Sequence, residues 1–273
     1  MVYEAVVFDN DGVLTHPTPR DVLRDGSRAA FRAFDVEPTT ETVEAAADGF
    51  DDGVRRACER HGIDAEAFWR RRELHTSDAQ RAAILAGTKP LYDDVRDALA
   101  ALTGGTVAGD EADGLEGDTA ADGGITGDGG AGGDGRGEGR DGRGDSDRGG
   151  VATGIVSNNQ HATVEGIVDL FDLHGYFGTA YGREASLDGF RRRKPETDYL
   201  ERALDDLGVD APERVLYVGD STVDVEVAVR LGADSAFVRR PHREGYDVGA
   251  EPTYEVSGLD EVVDVVRRAN EGP

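Results

Sequence analysis

Four segments of this 273-residue chain carry residue types and spacings that could do chemistry: Asp9-Asn10-Asp11-Gly12, Ser157-Asn158-Asn159, Arg191-Arg192-Arg193-Lys194-Pro195 and Gly219-Asp220-Ser221-Thr222-Val223-Asp224. Asp9, Asp11, Asp220 and Asp224 offer carboxylates. Clustered carboxylates repel one another unless a cation holds them, and an all-oxygen donor set suits Mg²⁺. Lys194 offers a compact ammonium in a chain that otherwise uses Arg: of 30 basic residues only Lys89 and Lys194 are lysine. Taken singly, each segment has an ordinary reading. Asp-x-Asp is a common turn, Ser-Asn a common helix cap, and Lys194 the end of a basic run. They become a site only if the fold carries them to one place.

The surrounding elements predict such a fold. Short apolar runs at Glu4 to Phe8, Val151 to Val156, Thr179 to Tyr181, Arg214 to Val218 and Ser235 to Val238 read as strands. Helical patterns at Ala162 to Phe171, Glu196 to Leu207, Val223 to Leu231 and Leu259 to Ala269 alternate with them. That alternation predicts an α/β, Rossmann-like parallel sheet covered on both faces. In such a sheet ligands bind beyond the carboxyl ends of the strands, which is where Asp9, Ser157 and Asp220 fall. From Pro19 to about Ala86 apolar residues recur three and four apart, so residues 17–87 are expected to form a separate helical unit inserted after the first strand. Residues 1–16 and 88–273 then make the core. Thr88-Lys89-Pro90 is expected to open a helix running to Leu102, with Pro90 in its first turn.

Val6-Val7-Phe8-Asp9-Asn10-Asp11-Gly12-Val13-Leu14, Ile155-Val156-Ser157-Asn158, Lys194-Pro195 and Gly219-Asp220 with Asp224 resemble the four ordered motifs of the haloacid dehalogenase-like hydrolases. The similarity is to the phosphoglycolate phosphatase-like subgroup with a helical cap, and it spans residues 4 to about 240 apart from an insertion. It implies a Mg²⁺-dependent phosphatase acting on a small phosphorylated metabolite through an aspartyl-phosphate. Asp9 would be the nucleophile and a metal ligand. Asp11 would protonate the leaving oxygen and then activate water, with its backbone carbonyl on the metal. Asp220 would bind the metal directly and Asp224 would support it. Ser157 and the Asn158 backbone N–H would hold phosphoryl oxygens, with Lys194 neutralising charge on them. Asp11 argues against a dehalogenase, which needs no acid at that position. A phosphomutase would keep all these residues, and a non-catalytic module on the same fold would be expected to lose Asp9 or Asp220.

Other signals bound the picture. Lys89-Pro90 precedes the Ser157 strand and so stands in the wrong order for the motif lysine. Gln160-His161 and Arg239-Arg240-Pro241-His242 border the expected site, and His161 reads equally well as an exposed helix start. Arg70-Arg71-Arg72 reads as a solvated helix face and Trp69 as core. Residues 103–150 hold 19 Gly and 12 acidic residues but only three larger aliphatics, which predicts a disordered insertion. The net charge of −26 disfavours nucleic-acid binding; with so few lysines the composition resembles that of salt-adapted haloarchaeal proteins, an acidic mesophilic protein being the alternative. A single cysteine, Cys58, excludes an intramolecular disulfide. No apolar run suits a membrane span, and the first residues do not read as a secretory signal, so a cytoplasmic location is expected.

Overall fold

Ala5–Phe8 (β1) is apolar throughout and buries all four side chains, as a strand covered on both faces must. In the computed structural model, which describes residues 2–105 and 150–272, it lies inside a six-stranded sheet. The other strands are Ala152–Gln160 (β2), Thr179–Arg183 (β3), Val215–Gly219 (β4), Asp234–Val238 (β5) and Tyr254–Val256 (β6). Their spatial order is β3-β2-β1-β4-β5-β6, with every pairing parallel. This is the α/β architecture expected from the sequence. The order reverses beside β1, between β1 and β4, where ligands of open α/β sheets bind.

Register explains how remote residues meet. Phe8 is paired with Ile155 on one side and Val218 on the other. Asp9 therefore follows one residue beyond the paired edge, and Ser157 and Asp220 two beyond it. β2 runs on past Val156, and its pairing with β3 is interrupted until Gln160, which leaves Ser157 to Asn159 extended above the sheet.

The two faces of β1 feed two cores. Val6 and Phe8 pack with Val95–Thr103 (α5), His161–Leu170 (α6) and Leu259–Glu271 (α10). Ala5 and Val7 pack against Asp198–Leu207 (α8) and Thr222–Leu231 (α9). A third apolar cluster belongs to the helices between β1 and α5: Arg20–Arg32 (α1), Thr40–Asp48 (α2), Asp52–Arg60 (α3) and Ala65–Leu85 (α4). There the rings of Phe31 and Phe68 lie 4.3 Å apart. Thr39, Asp51 and Asp64 each accept a backbone N–H from the first turn of the next helix, so the connections end in side-chain caps.

Three details differ from the sequence reading. The helix expected from Thr88 begins at Val95 instead. Residues 14–16 and 90–92, the chain's passages to and from α1–α4, run side by side: His16 N–H donates to the Pro90 carbonyl at 2.9 Å and Tyr92 N–H to that of Leu14 at 3.0 Å. Those bonds hold Pro90 to Tyr92 extended where a helix was expected. Leu187–Arg191 (α7) and β6 had no readable pattern, being only five and three residues long.

Most of the expected insertion, residues 106–149, lies outside the described residues. Its flanks meet: Val151 N–H donates to the Leu102 carbonyl at 2.8 Å, and Gly104 ends α5 in the left-handed conformation. The junction stands at the amino edge of the sheet, opposite Asp9 and Asp220. Replacing Gly104 to Gly150 with a three-residue turn is therefore expected to leave kcat and KM within about twofold. Stability should rise by no more than about 2.5 kcal/mol, since loop closure varies only with the logarithm of length. A sharp rise in KM would show that the segment serves the site.

Candidate active site

Asp9 leaves β1 with its backbone N–H bonded to Val218 of β4 at 2.8 Å, so the main chain itself fixes it between two strands. Its carboxylate is buried, and burial pushes it up to about 6 against the opposing pull of Lys194, with Asp224 adding to the rise. Lys194 Nζ lies 2.9 Å from Asp9 Oδ1 as an ion pair, outside hydrogen-bond alignment, and 2.6 Å from Asp224 Oδ1. A third contact at 2.8 Å reaches the Tyr217 hydroxyl, which donates to the Val156 carbonyl. Burial alone would discharge this ammonium, but Asp224 and Asp9 hold its pKa well above the ordinary lysine value. Asn158 clamps the same residue from outside. Its Oδ1 accepts Lys194 N–H at 2.8 Å and its Nδ2 donates to the Lys194 carbonyl at 3.1 Å. Ser157 is buried beside it, its Oγ accepting Asn159 N–H at 3.2 Å.

Asp220 and Asp224 occupy the start of α9. Asp224 closes a capping box with Ser221, its Oδ2 also accepting Asp220 N–H at 3.2 Å. Gly219 permits this fold-back, because a Cβ there would fall 2.1 Å from the Asp224 Cβ. Gly12, at φ 81°, serves likewise: a Cβ would lie 2.1 Å from Asp220 Oδ2. That oxygen also meets His242 Nε2 at 2.7 Å and Arg243 Nε at 2.9 Å.

Asp9, Asp220 and Asp224, all buried, each offer an oxygen, and the three oxygens lie within 4.8 Å of one another. Asp9 Oδ1 has no hydrogen-bond partner among the described residues. Three converging carboxylates, one with a buried oxygen that is ion-paired but not hydrogen-bonded, fit a hard divalent cation better than any neutral ligand. The Asp11 carboxylate is not in this group. Among the four acidic side chains expected to converge, it is turned aside by Lys89, whose Nζ lies 2.5 Å away, and by Asn159 Nδ2 at 2.7 Å and Thr18 N–H at 3.1 Å. Although burial opposes it, these donors and the Thr18 hydroxyl keep Asp11 below the usual carboxylate range.

Lys89 is thus a site residue that the motif order set aside. Both lysines of the chain are buried and each meets one carboxylate of the Asp-x-Asp pair, so lysine scarcity was the signal that could have found it. Thr18, Gln80 and Arg243 carried no comparable mark, and Asn159 was marked only as part of the Ser157-Asn158-Asn159 segment. Arg72 is a further correction: it is buried, donating to the Ala46 and Ala47 carbonyls and pairing with Glu73, whereas Arg70 and Arg71 are exposed. Trp69 is fully buried, with Arg72 and Arg183 over its ring. His161 is half-buried at the α6 start, its Nδ1 accepting Gly182 N–H at 3.3 Å.

The His242-Arg243 turn is anchored by Arg240, which makes two 2.8 Å bonds to Asp94 and a third, at 3.1 Å, to the Val13 carbonyl. Asp94 is held below the ordinary carboxylate range by Arg240 and the Leu259 N–H, against the opposing effect of burial. Its contribution is full above the unfolded pKa of about 3.9 and fades as pH falls through the lower folded value. Asp94→Ala should cost about 1–3 kcal/mol at neutral pH, the range for stranding a charged partner, and thermal melts at pH 7 would measure it.

Residues 147–238 match the sequence model described as haloacid dehalogenase-like hydrolase. The phosphoglycolate phosphatase of Aquifex aeolicus (strain VF5) is 33% identical over 87 residues, covering 32% of this chain and 38% of that protein. That of Escherichia coli (strain K12) is 30% identical over 86 residues, covering 32% of each. The chain thus spans little more than a third of the length of the curated relatives it matches. Over the whole fold, CbbY from Rhodobacter sphaeroides in complex with phosphate superimposes with a TM-score of 0.61 at 16% identity, covering 96% of both chains. The fold built around Asp9 is accordingly one shared with CbbY, and the sequence pattern described as haloacid dehalogenase-like hydrolase is matched across residues 147–238, about a third of the chain.

Proposed function

We propose that the chain is a divalent-cation-dependent phosphatase that hydrolyses a small phosphorylated metabolite through an aspartyl-phosphate on Asp9. The observation that carries this reading is the meeting of Asp9, Asp220 and Asp224 around one point beside Lys194. A lone carboxylate repels a phosphate monoester, whereas this arrangement surrounds the nucleophile with compensating charge. Mg²⁺ held by Asp9, Asp220 and Asp224 would supply the charge neutralisation that lets the two anions approach.

Asp9 would attack phosphorus while Asp11 gives a proton to the departing oxygen; Asp11 would then take a proton from the water that cleaves the acyl phosphate. Ser157 and the Asn158 N–H, where the pairing of β2 with β3 is interrupted, would bind phosphoryl oxygens. Lys194 would balance their charge, kept in place by Asn158. The named activity of the relatives favours a phosphorylated hydroxy acid such as phosphoglycolate, with a sugar phosphate as the neighbouring class.

We read residues 17–87 as a cap over the site, because Gln80 of α4 reaches the Asp11 cluster and the chain passes to and from these helices through one paired hinge. No helix among the described residues is long and apolar enough to cross a membrane. The charge of −26 and the burial of both lysines support a salt-adapted protein. A phosphate-release screen over small phosphorylated metabolites, with Mg²⁺ and in molar KCl, tests the proposal. Absence of release from every compound, including p-nitrophenyl phosphate, would overturn it.

A further inference from the structure

Lys89 is fully buried, and its ammonium spends all three protons on acceptors from three parts of the chain. It donates to Asp11 Oδ1 at 2.5 Å, Thr18 Oγ1 at 2.9 Å and Gln80 Oε1 at 2.8 Å. Asp11 follows β1, Thr18 lies in the passage toward α1, and Gln80 projects from α4. Gln80 in turn donates to Gln160 Oε1 at 3.2 Å, at the end of β2. With Asn159, Lys89 and Thr18 leave both oxygens of Asp11 accepting hydrogen bonds. Burying an ammonium is costly unless it is paired, and among the described residues the ion pair of Lys89 is with this one carboxylate.

We propose that Lys89 is a positioning residue that holds Asp11 as an oriented, proton-accepting carboxylate for the second half of the reaction and ties it to α4 through Gln80. The inference rests on the role proposed above for Asp11. In that half-reaction a water oxygen forms the bond to phosphorus and the bond between phosphorus and the Asp9 oxygen breaks. The electron pair returns to Asp9, and the proton lost by water goes to Asp11. A carboxylate fixed by donors on both oxygens loses little entropy in reaching that geometry.

p-Nitrophenyl phosphate separates the two halves, because its leaving group departs without a proton. With this substrate Lys89→Met is expected to lower kcat by about 10- to 100-fold, part of the full general-base factor. Its kcat/KM, which reports phosphorylation of Asp9, should stay within about threefold of the parent, and acid-quenched enzyme should accumulate phosphate on Asp9. A thermal melt establishes that the variant folds. Should it not, Lys89→Arg is read by the same split, since a planar guanidinium cannot satisfy three acceptors arranged around an ammonium. In whichever variant folds, an unchanged kcat, or a kcat/KM that falls in step with kcat, overturns the proposal. Asp11→Asn is the control. If it lacks the same split, the assignment of Asp11 fails before that of Lys89 is reached.

Discussion

Asp9→Asn is expected to abolish hydrolysis of p-nitrophenyl phosphate while leaving the fold intact. The amide has nearly the shape of the carboxylate but no nucleophilic oxygen anion, so no covalent phosphoryl-enzyme can form. The neighbours favour folding of the variant. Asp9 N–H still bonds Val218, and Lys194 keeps Asp224 and the Tyr217 hydroxyl as partners after losing one of its two anions. Burial already works against the Asp9 charge, so a neutral group removes an electrostatic cost as well as an ion pair. Asp11→Asn should retain more, falling by roughly 10²- to 10⁴-fold, because a general acid–base group accelerates a route that persists without it. Phosphate release and a thermal melt on both proteins check the pair. Parental turnover in a correctly folded Asp9→Asn would eliminate the aspartyl-phosphate route outright.

How far such a site can be read from sequence depends on what each residue answers to. Asp9, Ser157 and Asp220 follow apolar strands, and a parallel sheet sends all such ends to one edge. Their meeting therefore needs only the strand order and the pairing of Phe8 with Ile155 and Val218. Asp224 is legible from its place one turn into the helix after Asp220. The turning aside of Asp11 is not. It depends on Lys89, which reaches the site because residues 14–16 and 90–92 happen to pair, a contact between segments with no periodicity of their own. The same pairing displaced the expected helix start from Thr88 to Val95. Arg72 was misread for a related reason. Three adjacent arginines on a helix look solvated, yet one of them points inward, where the carbonyls ending α2 and the Glu73 carboxylate accept its protons. Local pattern carries the scaffold, whereas long polar side chains are placed by partners that are remote in sequence.

Removal of divalent cations should silence the proposed phosphate release and lower the stability of the protein together. Asp9, Asp220 and Asp224 put three buried carboxylate oxygens within 4.8 Å of one another. The described cations around them, Lys194 on Asp9 and Asp224, with Arg243 on Asp220, leave Asp9 Oδ1 without a hydrogen bond. A cation that binds this cluster only in the folded chain adds stability by mass action, about 2.7 kcal/mol at a hundred times its dissociation constant. For a domain of this size that is a rise in Tm of roughly 5–10 °C. Mg²⁺ titrated into EDTA-stripped protein should raise Tm and restore phosphate release over the same concentration range. Asp220→Ala removes one ligand and frees His242 and Arg243 from their anion, so its Tm should respond weakly to Mg²⁺ and its activity should require far more of the ion or vanish. The two readouts are independent. A Tm that rises equally in both proteins would place the cation elsewhere, and full activity in EDTA with no metal retained would show that the three carboxylates serve some other end.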